Sequence, residues 1–259
     1  MQFITATRDG PVTTITLNRP EVMNAINIAM HHELQDAFDA FAGDDSQFVC
    51  VVTGAGERAF CAGSDLKAAA VSGLPPEYPR SGYAGLIERF DCPKPFIAAV
   101  NGVALGGGFE VALACDIIVA SDTASFGLPE PLVGAVALGG GLHRLARQVG
   151  LKQAMGAILT ARRIPADEGL RMGFVNEVVP AAGLAAATRR WVDQILRGSP
   201  MAVRTSKAVV QRGLEEPSVE IAMRHQQDYP EFVAWRASDD AIEGPRAFAE
   251  KRSPVWTGQ

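Results

Sequence analysis

Two acidic residues stand just past glycine-rich or strand-like sequence, and both are candidates for moving protons. In "VNGVALGGGFEVALACDIIVA" (100–120), three consecutive glycines precede Glu110 in an otherwise apolar run. An ionised carboxylate left unpaired in apolar surroundings is expensive, and tandem glycines weaken a helix or strand interior by ~1 kcal/mol each relative to alanine. The combination points to function rather than packing. Gly106, Gly107 and Gly108 fall where strand-like sequence gives way to "FEVALA", so their backbone N–H groups lie at or beside a helix N-terminus, free to face an anion. Glu130, in "FGLPEPLVG", follows a short apolar strand. It precedes Pro131, which disfavours the α conformation and suits an extended segment or a turn lining a pocket. Two carboxylates arriving from neighbouring strand ends can work as a general acid and base on one substrate. A third piece, "GAGERAFCAGSDLKAAA" (54–70), is again a strand, a glycine-bearing turn and the opening of a helix. Two such turns can place two backbone N–H groups around one oxygen.

Other chemistries find little support. The dinucleotide spacing GxGxxG and the P-loop spacing GxxxxGK[ST] are absent, which argues against nicotinamide cofactors and nucleoside triphosphates. Ser64 lacks the GxSxG frame of a hydrolase nucleophile. Cys61 reads as core, having no evident partner to lower its pKa. His31, His32, His143 and His225 show no metal-ligand spacing and read as structural or surface residues, so no metal site is expected.

The elements that must carry these residues are those of an α/β chain. "FITATRDGPVTTITLNRP" predicts a hairpin turning at Asp9-Gly10. Asn27 is placed to cap a helix bearing Ile28, His31, Leu34, Phe38 and Phe41, and the continuous apolar run "FVCVVTGAG" reads as a strand. "FIAAVNGVAL" (96–105) and "DIIVASDTASFG" (116–127) flank the helix opened by the glycines; strands buried on both faces and separated by helices imply parallel pairing. From about Gly140 the pattern turns helical. "AVSGLPPEYPRSGYAG" (70–85) reads as a long surface loop, a place for a lid or specificity element.

Length and composition set the frame. The chain has 259 residues, is 47% hydrophobic and carries a net charge of -5 without blocks of like charge, so neither nucleic acid nor an anionic membrane surface finds an electrostatic footprint. The four scattered cysteines read as buried free thiols and imply a cytoplasmic protein. The start, "MQFITATRDG", lacks signal-peptide grammar, and the apolar stretches are interrupted before they can span a bilayer.

Assembled in order, "ITLNRPEVMNAI", "VVTGAGERAFCAGSDLK", "KPFIAAVNGVALGGGFEVALACDIIVAS", "ASFGLPEPLVG", "GGGLHRLAR", "ADEGLRMGFVNEVV" and "AFAEKRSPVW" resemble the crotonase, or enoyl-CoA hydratase/isomerase, superfamily from end to end. "GSDLKAAA" and "SDDAIEGPRAFAEKRSPVWTGQ" look most like its carnitinyl-CoA dehydratase branch. The resemblance implies an α/β fold, a crotonase (ClpP-like) spiral of stacked ββα turns over 1–195, with a C-terminal helical trimerisation region over 196–259. It implies an acyl-CoA thioester substrate, a homotrimer or dimer of trimers, and no cofactor beyond the coenzyme A carried by the substrate.

By position in the motifs, Ser64 and Gly107 would donate the backbone N–H groups of an oxyanion hole, and Glu110 and Glu130 would be the catalytic glutamates. Ala62, Ser64, Asp65 and Leu66 would line the coenzyme A path, and Lys251 would approach its phosphates. The reaction implied is reversible hydration of an enoyl-CoA, with carnitinyl-CoA dehydration as a variant in which Tyr78, Tyr83, Phe90 or Trp235 would cage a quaternary ammonium. An enoyl-CoA isomerase and a non-catalytic acyl-CoA-binding scaffold are the rival readings. The aspartate used by dienoyl-CoA isomerases and naphthoate synthases falls on Leu138, against those branches. Ala137, where proline is common, and Pro131 depart from the family pattern beside Glu130.

Overall fold

The computed structural model describes residues 1–66 and 77–259. Strands β1 (Ile4–Asp9) and β2 (Val12–Leu17) form the expected hairpin, paired antiparallel from Ile4↔Leu17 to Asp9↔Val12. The strands that follow are β3 (Val49–Gly54), β4 (Ala59–Cys61), β5 (Phe96–Val100), β6 (Val103–Leu105), β7 (Ile117–Ser121), β8 (Ser125–Gly127), β9 (Ile164–Pro165) and β10 (Glu177–Val179). They sort into a six-stranded sheet ordered β1-β2-β3-β5-β7-β10 and a four-stranded sheet ordered β4-β6-β8-β9. The pairs β2–β3, β3–β5, β5–β7, β7–β10, β4–β6 and β6–β8 are parallel, as the doubly apolar strands predict.

"FIAAVNGVAL" and "DIIVASDTASFG", each read as one stretch, are each two strands in different sheets. At the first break, Asn101 Oδ1 accepts the Gly54 N–H at 3.1 Å and its amide donates to the Gly56 carbonyl at 2.7 Å. Gly102 lets the chain pass so close to Arg58 that a Cβ there would sit 2.5 Å from its carbonyl oxygen. At the second break the Thr123 N–H turns back to Ser121 Oγ at 3.2 Å. The chain therefore gives one strand to the large sheet and the next to the small one, in three successive turns, which is the spiral the resemblance implies.

Helices α1 (Ile28–Gly43), α2 (Gly107–Ala114), α3 (Gly141–Gln148), α4 (Leu151–Thr160), α5 (Ala166–Met172) and α6 (Leu184–Leu196) fill the layers around the sheets. Asn27 caps α1, its side chain accepting the Met30 N–H at 2.9 Å. Met30, Leu34, Phe38 and Phe41 are buried from that helix, whereas Ile28, expected on the same face, is exposed. Residues of β3 alternate between two cores: Cys50 and Val52 join the main cluster with α1 and α2, while Val49 and Val51 pack with Leu184, Ala187 and Val192 of α6 on the opposite face.

The last third is helical as expected, with two additions the sequence did not announce. Strands β9 and β10 close the two sheets, and α8 (Val219–His225) and α9 (Pro230–Arg236) stand between α7 (Pro200–Gly213) and α10 (Asp239–Ala249). Buried Asp240 ties the end of the chain back, accepting the Ser199 hydroxyl at 2.7 Å and the Thr257 N–H at 2.9 Å. None of the described helices is long and apolar enough to cross a membrane.

The segment 70–85 and the helix expected to open at "SDLK" lie partly outside the described residues. The far end of that segment corrects the reading as surface loop: Tyr83, Ala84 and Gly85 form a buried 3-10 turn against α1. A Cβ on Gly85 would stand 2.5 Å from Gln35 Cα of that helix, so the turn docks directly on its backbone.

Candidate active site

Three parallel neighbours in the small sheet, β4, β6 and β8, end side by side, and each is followed by one piece of the expected site. After β4 comes the Ala62-Gly63-Ser64 turn, after β6 the glycine run that starts α2, and after β8 the turn bearing Glu130. Residues as far apart in sequence as Ala62 and Glu130 thus meet because their strands pair.

The two turns touch. Gly63 has φ +90°, and a Cβ there would lie 2.8 Å from the Leu105 carbonyl oxygen and 3.2 Å from the Gly107 nitrogen. Gly106 also needs a left-handed backbone, φ +53°, to turn the chain out of β6 and into α2. Gly107 is the first residue of that helix, so its N–H has no intrahelical acceptor. Ser64 makes an isolated parallel bridge to Ile26, in which the flanking Gly63 carbonyl and Asp65 N–H do the bonding. That leaves the Ser64 N–H directed to the other side. Among the described residues no acceptor takes either N–H, and the two are neighbours at one helix N-terminus.

Glu110 sits in the first turn of α2, buried. Its Oε1 accepts the Gly141 N–H at 2.9 Å, and Cβ atoms on Gly139 or Gly141 would collide with the carboxyl. Burial, seconded by the charge of Glu130, pushes its pKa up from 4.5 to about 7 against the pull of the Gly141 and Gly139 N–H groups and of Arg144. Glu130 opens a 3-10 turn, Glu130–Val133, a compact turn rather than an extended segment ahead of Pro131. Its Oε1 lies 3.0 Å from where a Gly106 Cβ would be. Burial raises its pKa too, and its Oε2 is buried with no hydrogen-bond partner among the described residues. Both carboxyls thus flank the start of α2, each holding its proton more tightly than in water.

Of the four aromatic residues considered for a cation cage, two come together. Tyr78 and Tyr83 have ring centroids 5.6 Å apart, and the buried His31 ring stands edge-on to both, at 5.1 and 4.5 Å. Glu110 helps to raise the pKa of both tyrosines, after the larger effect of burial, so the cluster borders the carboxyl. Phe90 lies instead under the Arg144 guanidinium, and Trp235 pairs with Phe232 in α9. His31 is structural, as expected: its Nδ1 accepts the Ala84 N–H at 2.8 Å, and burial lowers its pKa to about 4.

Among the expected coenzyme A contacts, Ala62, Ser64, Asp65 and Leu66 are contiguous, Ser64 and Leu66 being exposed and Ala62 and Asp65 half-buried. Asp65 is paired with Arg19 at 3.0 Å. Lys251 follows α10 at φ +55°, and among the described residues no hydrogen bond or ion pair links it to that group. Leu138 is exposed and Ala137 buried. Sequence reasoning overlooked the Gly139–Gly141 cradle and Arg144, which donates to the Ile87 carbonyl at 2.6 Å and stands near Glu110. A second glycine run opening a helix, "LGGGLHR", was the available signal. Cys50, Cys61, Cys92 and Cys115 are buried free thiols.

Comparison with known proteins agrees along the whole chain. The family described as Enoyl-CoA hydratase/isomerase matches residues 7–259. A carnitinyl-CoA dehydratase of Proteus mirabilis is 44% identical over 264 aligned positions, covering 100% of this chain and 99% of that protein. The crystal structure of an enoyl-CoA hydratase from Mycobacterium tuberculosis superposes with a TM-score of 0.91 at 36% identity, covering 100% of both chains. A carnitinyl-CoA hydratase from Mycobacterium avium superposes with a TM-score of 0.78 at 41% identity, again over 100% of both.

Proposed function

Because the chain belongs to the enoyl-CoA hydratase/isomerase family, we propose that it adds water to, and removes it from, the double bond beside the carbonyl of an acyl-CoA thioester. The observation that carries this reading is the pairing of two buried carboxyls, Glu110 and Glu130, with two unspent N–H groups on Ser64 and Gly107. The thioester oxygen rests between the two N–H groups. In hydration the carboxyl pair takes a proton from water as its oxygen bonds to Cβ and the π electrons shift toward the thioester oxygen as an enolate. The enolate then collapses to the thioester as the carboxyl pair gives a proton to Cα, so that one water is added and the pair returns to its starting state. Dehydration reverses each step. Charge develops on the oxygen facing the N–H groups, where one such donor is worth ~3 kcal/mol of transition-state stabilisation. Retention of two carboxyls favours hydration over a one-base double-bond shift.

The test follows loss of the conjugated-thioester absorbance of crotonyl-CoA. Wild type should turn over, and Glu110→Gln and Glu130→Gln, folded and assembled as wild type, should each lose on the order of 10²-fold or more in kcat. Full activity in either variant would remove that residue from the mechanism.

A narrower substrate is favoured by Tyr78, the exposed member of the aromatic cluster bordering Glu110, and by the similarity to carnitinyl-CoA dehydratases. Aromatic faces suit a trimethylammonium group, so we infer a carnitinyl-CoA dehydratase. If Tyr78→Ala left turnover of carnitinyl-CoA and crotonyl-CoA equally unaffected, that narrower reading would fail for this side chain. The same proposal includes coenzyme A held along Ala62, Ser64, Asp65 and Leu66 with Lys251 at its phosphates, and a spiral core to residue 195. It further includes trimers, alone or paired, built on the helices of 196–259, and a cytoplasmic location in keeping with four free thiols.

A further inference from the structure

The Tyr83 hydroxyl belongs with the two backbone N–H groups. Its ring packs so closely beneath Gly107 that a Cβ on that glycine would run into the phenol's Cζ and hydroxyl oxygen. On the other side the Ser64 hydroxyl donates to the Tyr83 oxygen at 3.4 Å, leaving the phenol's own proton without an acceptor among the described residues. The hydroxyl therefore sits between the two residues whose amides frame the hole. The ring is held there from behind: His31 stands edge-on at 4.5 Å and fixes the next residue, Ala84, whose φ of +57° is strained for a side chain other than glycine. A side chain 4% exposed, anchored through a strained turn, with its polar tip set against Gly107 and the Ser64 hydroxyl is placed to meet a ligand oxygen that the neighbouring amides would hold. A buried donor left unmatched costs free energy that such an oxygen would restore.

We propose that Tyr83 is a third donor to the thioester oxygen, its hydroxyl completing the hole formed by the Ser64 and Gly107 amides. The inference rests on the acyl-CoA reading of the site. Burial, foremost, and the nearby Glu110 among others push the phenol's pKa well up, so it keeps the proton it donates.

The test is Tyr83→Phe, which keeps the ring and its packing. A chromophoric enoyl thioester such as 4-dimethylaminocinnamoyl-CoA reports electron withdrawal at the carbonyl as a red shift on binding, without turnover. Wild type should shift the band strongly and Tyr83→Phe measurably less, with comparable affinity. On crotonyl-CoA the variant should lose roughly 10- to 10²-fold in kcat with little change in KM, the pattern of an interaction made in the transition state. An equal red shift in both proteins overturns the inference. If wild type shifts the band more than the variant but hydrates no enoyl thioester, the third donor stands and the hydratase reading falls. Failure of wild type to bind or polarise the probe overturns both.

Discussion

At the scale of the residue, the role proposed for Glu110 sets chemistry against stability. Its pKa rises from 4.5 to about 7 on folding, burial being the main cause, so between these values the folded chain holds a proton that the unfolded chain has released. Stability falls as pH rises through that window, by ~3 kcal/mol once both are passed. Glu110→Gln removes this penalty, and the variant should exceed wild type in stability at pH 8 but not at pH 4.5. His31 contributes the opposite slope: its pKa is lowered to about 4, so its share of stability is lost as pH falls from about 6.5 through that value. The difference between wild type and Glu110→Gln in urea unfolding isolates the carboxyl, and a difference that stayed constant with pH would refute the argument. Such a cost is what a site retains when a general acid or base must work near neutrality.

At the scale of the element, the glycine run divides its labour. Gly106 supplies a backbone conformation, Gly107 an open amide, and Gly108 a close approach, since a Cβ there would overlap the Cys61 carbonyl of β4. Gly108→Ala should therefore lower the unfolding temperature, with ~1–3 kcal/mol of overpacking strain, and shift the two amides apart. A variant as stable and active as wild type would show that the helix can slide on the strand without cost. The functions of this run were half visible in the sequence, because a triple glycine between strand-like and helix-like segments has few structural uses. Hairpin, capped helix and apolar strands were legible from turn chemistry and periodicity. The division of 96–105 and 116–127 between two sheets was not, because breaks at Asn101-Gly102 and Asp122-Thr123 depend on what the backbone meets across the fold. Nor was the cradle around Glu110: Gly139 and Gly141 acquire meaning only once α3 is packed beside α2. The docking of Tyr83 on α1 was hidden within a proline- and glycine-rich stretch whose local pattern resembles any loop.

At the scale of the whole molecule, one chain leaves sizeable apolar side chains in water. Leu151 and Leu159 of α4, Leu214 just past α7, and Phe248 of α10 are all exposed, the last at 87%. Side chains of this kind in the helical part suit burial between copies, and sedimentation should find three copies, or six, of the 27.5 kDa chain; a monomer at micromolar concentration would exclude the proposed assembly. The alternation of strands between the two sheets also governs how the molecule opens. A strand of the spiral, β5 for instance, has parallel partners on both sides and is followed within two residues by a strand of the other sheet. Loosening one turn therefore breaks ladders in both layers at once, and the inner strands have no inexpensive partial opening. Amide hydrogens of β3, β5, β6 and β7 should exchange with deuterium together and slowly, while those of α8 and α9 exchange earlier. The same coupling keeps the amides of Ser64 and Gly107 at a constant separation while outlying helices breathe.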